Sequence, residues 1–242
     1  MSISGNKSFS ATHTGMVRRL NEDSMISRDD IGLWAVADGM GGHQAGDLAS
    51  QTVTRHLELV QDATDIDELV TRTSKALNQA NDELLSLDDQ YHDDLVPGST
   101  VAVLLINGSH GAVTWAGDSR IYRHRNGMTE QITHDHSHVQ ELVDQAVIEP
   151  EEAEKHPMSN VITRAIGIDQ PLDLETKQFE VLPGDRYLVC SDGLSRLVSQ
   201  EEIRNLMHTS EIEESVQSLL HTALVRGAPD NVTVVRVDCD PS

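Results

Sequence analysis

Four times along this chain a short apolar run meets a loop at an aspartate. Residues 33–37 lead into Asp38-Gly39, residues 112–116 into Gly117-Asp118-Ser119, and residues 187–191 into Asp192-Gly193, while Asp230-Asn231 opens the run 232–237. Runs of that length read as buried strands, and a carboxylate cannot continue into a dry core uncompensated. The chain is thereby pressed toward sheets whose acid-bearing ends can gather along one edge. In the first of the four, Trp34-Ala35-Val36-Ala37-Asp38-Gly39-Met40-Gly41-Gly42-His43, the glycines leave room for backbone groups to approach an ion or a phosphate. A lone Asp-Gly is ordinarily a turn between strand and helix. Its recurrence argues for a ligand.

Between these points the periodicity alternates. Residues 45–60 carry a helical stripe of Leu48, Ala49, Val53, Leu57 and Val60, a second helix is predicted over 66–85, and two more over 199–208 and 211–225. Strands are predicted over 7–14, 100–106, 112–116, 120–125, 128–133, 174–181, 186–191 and 232–237, with hairpin turns at Asn107-Gly108 and Asn126-Gly127. Residues 7–24 read as strand-like and then, after a turn at Gly15, polar, and 88–97 as an acidic loop. Helix pairs early and late, with antiparallel strands in the middle and at both ends, predict an α+β fold. Its form is a four-layer αββα sandwich, two antiparallel β-sheets flanked by helix pairs. No Gly-, Pro- or Ser-rich linker divides residues 1–242, so one domain is expected. Residues 134–166, polar and acidic with a short stripe at Val139, Leu142, Val143 and Ala146, read as an inserted flap.

The balance of 18 basic against 40 acidic residues gives a formal charge of −22, which opposes nucleic-acid backbone and anionic lipid in the absence of a basic patch. The longest apolar run, 101–106, is too short to cross a bilayer. Cys190 and Cys239 follow no paired metal-ligand spacing, and residues 1–10 carry no cationic-apolar leader, so a reduced, cytoplasmic protein is expected. Clustered aspartates repel one another, and divalent cations resolve that repulsion. An all-oxygen donor set suits Mg²⁺ or Mn²⁺ rather than Zn²⁺, with Glu22 and Asp23 able to add oxygens directly or through water.

The motifs, taken together, resemble the metal-dependent serine/threonine protein phosphatases of the PP2C (PPM) type, in their compact bacterial branch. The matching pieces are Gly15-Met16-Val17-Arg18 with Asn21-Glu22-Asp23-Ser24, Ala37-Asp38-Gly39-Met40-Gly41-Gly42-His43, Gly98-Ser99-Thr100, Ala116-Gly117-Asp118-Ser119-Arg120, Thr133 with Asp135-His136-Ser137, Ser191-Asp192-Gly193-Leu194 and Pro229-Asp230-Asn231. They occur in family order over nearly the whole chain. The resemblance implies hydrolysis of phosphoserine and phosphothreonine by direct attack of a hydroxide bridging two divalent metals. Asp38 would bridge the ions, the Gly39 carbonyl would be a ligand, and Asp192 and Asp230 would hold the second ion. A third ion would fall to Asp118 with Asp192. Arg18 would grip the phosphoryl group, and His156 and Arg164 of the flap would face substrate. Phosphorylated proteins are the expected partners, a Ser/Thr kinase and its targets among them, and the chain is expected to be a monomer.

One position departs from the family pattern. Eukaryotic relatives carry a histidine directly after the Asp-Gly, where it can protonate the leaving alkoxide, and here that residue is Met40. His43 and a metal-bound water are the alternative proton donors, and His43 also suits a helix start. Two rival readings stand beside the metal centre. Cys190 with Arg196 satisfies the Cys-x5-Arg spacing of cysteine-dependent phosphatases, but Asp192 places a carboxylate inside what should be an electropositive cradle. A catalytically dead relative that only binds phosphoproteins would have no need of the full aspartate set.

Overall fold

The computed structural model describes residues 5–41, 44–88, 97–153, 155–168, 170–208 and 211–239. In chain order they form β1 (Asn6–His13), β2 (Asp23–Arg28), β3 (Leu33–Met40), α1 (Gln44–Glu58), α2 (Ile66–Asp88), β4 (Gly98–Ser99), β5 (Val101–Asn107) and β6 (His110–Ala116). Then follow β7 (Arg120–Arg125), β8 (Met128–Gln131), α3 (His138–Asp144), α4 (Pro150–Ala153), β9 (Glu175–Glu180) and β10 (Arg186–Cys190). The chain closes with α5 (Asp192–Ser195), α6 (Gln200–Met207), α7 (Ile212–Val225) and β11 (Val232–Cys239).

Two sheets, in which every pairing is antiparallel, carry the order β1-β11-β10-β7-β8 and β2-β3-β5-β6-β9. Alternation along the strands sorts the core into three layers. On β3, Leu33, Ala35 and Ala37 join α1 and α2 in one cluster, whereas Trp34 and Val36 point between the sheets. On β10, Tyr187 and Val189 face inward, and Leu188 and Cys190 lie under α6 and α7. The expected αββα sandwich is the observed one.

Three details differ from the sequence reading. The end of the stretch read as polar enters an edge strand, β2, whose ladder with β3 begins at Asp23. The strand carrying Asp38 does not stop there. β4 pairs Ser99 with Gly39 and Gly98 with Met40, so β3 continues two residues further and Asp38 sits within it. The hairpins β5–β6 and β7–β8 are present, but β6 and β7 belong to different sheets, and Gly117-Asp118-Ser119 carries the chain from one to the other. The 89–96 part of the predicted acidic loop lies outside the described residues. Residues 134–166 hold α3 and α4 and fold back through bridges between Ser137 and Ile162 and between Ser99 and Ile166.

Candidate active site

Asp38 follows Trp34 and Val36 on the face of β3 that looks between the sheets, and its cross-strand partner is Asp23. Its backbone is clamped on both sides. Thr100 N–H and Ser99 Oγ donate to the Asp38 carbonyl at 2.8 and 3.1 Å, and Asp38 N–H donates to Thr100 Oγ1 at 3.1 Å. Asp23 spans the sandwich: its Oδ2 accepts from Thr233 Oγ1 on β11 of the opposite sheet at 2.6 Å and from Ser191 Oγ, just past the end of β10, at 2.9 Å. A polar floor thus replaces hydrocarbon where the two sheets meet the site. Gly39 has no space for a side chain, since a Cβ there would stand 2.0 Å from the Gly46 carbonyl oxygen. Gly46 is equally confined: a Cβ built there would stand 2.9 Å from the Gly39 carbonyl oxygen and 3.0 Å from Glu22 Oε1.

The other aspartates arrive on loops. Gly193 is pressed against the strand-entry loop of β11, where a Cβ would meet the Asn231 carbonyl oxygen at 1.9 Å; this close approach brings Asp192 beside Asp230. Asn231 then ties that loop to the N-terminal one, accepting from Glu22 N–H at 2.7 Å and donating to the carbonyls of Thr14 and Leu20 at 2.8 and 2.9 Å. Arg18, carried on that segment, donates to Asp230 Oδ2 at 2.8 Å while half of its side chain stays in solvent. Asp118, buried, is steadied by Ser119 Oγ paired with Thr100 Oγ1 at 2.8 Å, and by Gly117 N–H donating to His136 Nδ1 at 3.3 Å. Arg196 reaches Asp192 at 2.9 Å and Asp118 at 3.3 Å.

The electrostatics record how crowded the acids are. Desolvation, then Asp23, Asp192, Asp118 and Asp230 in turn, holds the Asp38 carboxyl well above the ordinary range. Asp38 keeps a solvent edge, so this is the crowding of a cleft rather than of a sealed interior. Burial, reinforced by neighbouring aspartates, pushes Asp23 and Asp118 up to about 7. Asp192 is raised mainly by burial, against the pull of Arg196. Hydrogen bonds to a carboxylate contribute roughly 1.5–3 kcal/mol each, whereas burying one costs several; for Asp23 the two hydroxyls fall short of full compensation. Its Oδ1 and the Oδ1 of Asp118 are buried without a hydrogen-bond partner. An all-oxygen cluster of mutually repelling, under-bonded carboxylates suits hard divalent cations. Among the described residues, no three His, Cys, Asp or Glu side chains form a closed cage for one ion, and two guanidinium groups stand among the acids instead.

The predicted residues Arg18, Glu22, Asp23, Asp38, Gly39, Asp118, Asp192 and Asp230 are therefore brought to one end of the sandwich. His156 is not seen with them; its Nδ1 accepts from Met158 N–H at 3.2 Å within its own turn. Arg164 pairs with Asp173 at 3.2 Å. His43 lies outside the described residues. Met40 packs beside Gly98, and a thioether has no proton to give. Cys190 is fully buried and its thiol is pushed up to about 12, chiefly by desolvation; Arg196 is committed to aspartates, so a thiolate cradle is absent at this pair. Sequence reasoning missed the positioning roles of Ser99, Thr100, Ser191, Asn231 and Thr233. Hydroxyl and amide residues directly flanking the aspartates were the available signal.

Two antiparallel sheets between helix pairs, with aspartates and an arginine converging at one end, define the class to which known proteins can be compared. A model of the protein phosphatase 2C family matches residues 1–142. The serine/threonine protein phosphatase PstP of Mycobacterium tuberculosis is 40% identical over 224 residues, covering 93% of this chain and 43% of PstP. The chain thus spans less than half the length of that relative. Among solved structures, PppA, described as a key regulatory component of T6SS in Pseudomonas aeruginosa, superposes with a TM-score of 0.91 at 40% identity over 99% of this chain and 100% of the other. The catalytic domain of PstP in complex with two manganese ions gives 0.88 at 37% identity over 98% and 99%. The chain belongs to the protein phosphatase 2C family. Asp192 and Asp230 lie beyond the residues the family model matches, and the loop contacts described above are what place them beside the rest.

Proposed function

We propose that this chain is a metal-dependent protein serine/threonine phosphatase that hydrolyses phosphoserine and phosphothreonine without a covalent phosphoenzyme. The observation that carries the reading is the convergence of Asp38, Asp192 and Asp230, with Arg18 donating to Asp230 at the solvent edge. Asp38, the Gly39 carbonyl, Asp192 and Asp230 would hold two Mn²⁺ or Mg²⁺ ions, and the mutual repulsion of Asp38, Asp192 and Asp230 is what such ions would relieve. When bound, the ions would supply a water of lowered pKa and charge neutralisation at phosphorus. The chain's own groups do the remainder. Arg18, half in solvent, can turn its planar fork from Asp230 to two phosphoryl oxygens and orient the group for in-line attack. Asp23, fixed across the sandwich by Thr233 of β11 and by Ser191 after β10, backs Asp38 as its cross-strand partner. Ser99 and Thr100 keep the Asp38 and Gly39 backbone from retreating as charge accumulates.

The substrates in this reading are phosphorylated proteins, including a Ser/Thr kinase and its targets. The chain acts as a monomer in the cytoplasm, with residues 134–166 as a flap beside the site. The charge of −22 argues against nucleic acid, and no helix among the described residues is long and apolar enough to cross a membrane. The test is turnover of phosphothreonine and phosphotyrosine peptides with added Mn²⁺. Preference for phosphothreonine, reduced by more than about 100-fold in Asp38→Asn, is expected from loss of a residue bridging both ions. Absence of turnover with any divalent ion would replace this reading with phosphoprotein binding alone.

A further inference from the structure

Arg196 stands where the sequence reading put a third ion. It lies one helical turn after Asp192, and the spacing of four across α5 carries its guanidinium back over that carboxylate. Nη2 is 2.9 Å from Asp192 Oδ2 and 3.3 Å from Asp118 Oδ2, so one cation is shared by both acids. The same group reaches outward as well: Nη2 donates to the Ser159 carbonyl at 3.1 Å and Nη1 donates to Asn160 Oδ1. The cavity left beside it, bordered by Asp118, Asp135, Ser159, Asp192 and Arg196, measures about 40 Å³. With the Arg196 guanidinium between them, Asp118 Oδ2 and Asp192 Oδ2 already face a cation, and a divalent ion placed at the same two oxygens would be repelled by it. A guanidinium is charged at every pH a protein survives and does not dissociate into solvent.

We propose that the Arg196 guanidinium is a built-in third cation, seated between Asp118 and Asp192 and tied to the flap through Ser159 and Asn160, so that the centre binds two divalent ions and not three. The inference rests on the two-ion reading of the preceding subsection. It makes Arg196 a positioning residue: one group both neutralises the Asp118–Asp192 pair and anchors residues 155–166 over it. Removing the guanidinium should open an ion site and free the flap together.

The experiment counts bound Mn²⁺ per chain, from the loss of the free-ion electron paramagnetic resonance signal during titration to millimolar Mn²⁺. Wild type, Arg196→Gln, Arg196→Lys and Asp118→Asn are compared, with hydrogen exchange of residues 155–166 followed in parallel. Two ions in the wild type and a third in Arg196→Gln, with exchange of 155–166 accelerated at least several-fold, are expected. Arg196→Lys keeps the charge and should stay at two, as should Asp118→Asn. Three ions in the wild type, dropping to two in Asp118→Asn, would overturn the inference and leave the two-ion reading standing. Two ions in both wild type and Arg196→Gln would likewise overturn it. No bound ion in the wild type would remove the two-ion reading and this inference together.

Discussion

Arg18 and Asp23 hold opposite ends of the same problem, one in solvent and one between the sheets. The Arg18–Asp230 contact is half exposed, and exposed ion pairs contribute about 0–1 kcal/mol, so its retention is explained better by use than by stability. Arg18→Ala is expected to lower kcat/KM on a phosphothreonine peptide by about 100-fold, the scale of losing one aimed donor, while leaving the melting temperature within about 1 °C. Arg18→Lys should recover only part of the loss, because an ammonium lacks the fork. Steady-state kinetics and thermal melts on the same samples separate the two effects. Asp23 has the reverse profile. Thr233→Val removes its 2.6 Å donor, and a buried carboxylate losing a bond costs roughly 1–3 kcal/mol; urea midpoints should fall accordingly, with a smaller effect on KM.

At the scale of elements, the site is a product of loops pressed together where glycine permits it. Gly193→Ala would drive a Cβ to 1.9 Å from the Asn231 carbonyl oxygen. Relief must come from parting the loops that carry Asp192 and Asp230. A loss of roughly 1–3 kcal/mol in stability is expected from such overpacking, accompanied by weaker Mn²⁺ affinity in calorimetric titration; unchanged affinity would show that the loops do not set the distance between the acids. The helix pairs, the two hairpins and the acid-ended strands were legible in the sequence because burial on one face imposes a period of 3.6 or 2. The exchange of sheets at Gly117-Asp118-Ser119 was not, since a three-residue loop serves a hairpin and a crossover equally well. Nor was the extension of β3 through Asp38, which depends on pairing with β4 some sixty residues later. Arg196 was read only as the partner of Cys190, because a spacing of four along a helix is invisible until the helix is known to begin at Asp192.

For the whole molecule, crowding of acids at one end predicts how stability follows pH. Asp23 and Asp118 rise from 3.8 to about 7 on folding, so the folded state binds more protons than the unfolded one between those values. Their contribution is fully present below about pH 4 and is lost as pH climbs through 7. In EDTA the melting temperature should therefore fall between pH 5 and pH 7.5, and added Mn²⁺ should restore it most at the higher pH, where the carboxylates are free to bind. The central claim is that the aspartates, through bound ions, do the chemistry that the buried Cys190 cannot. The measurement that reaches it most directly is phosphothreonine-peptide turnover by EDTA-treated and Mn²⁺-reconstituted chains, in the wild type and in Cys190→Ser. The account predicts that EDTA abolishes turnover, Mn²⁺ restores it, and Cys190→Ser retains it; turnover that survives EDTA and vanishes in Cys190→Ser would contradict it.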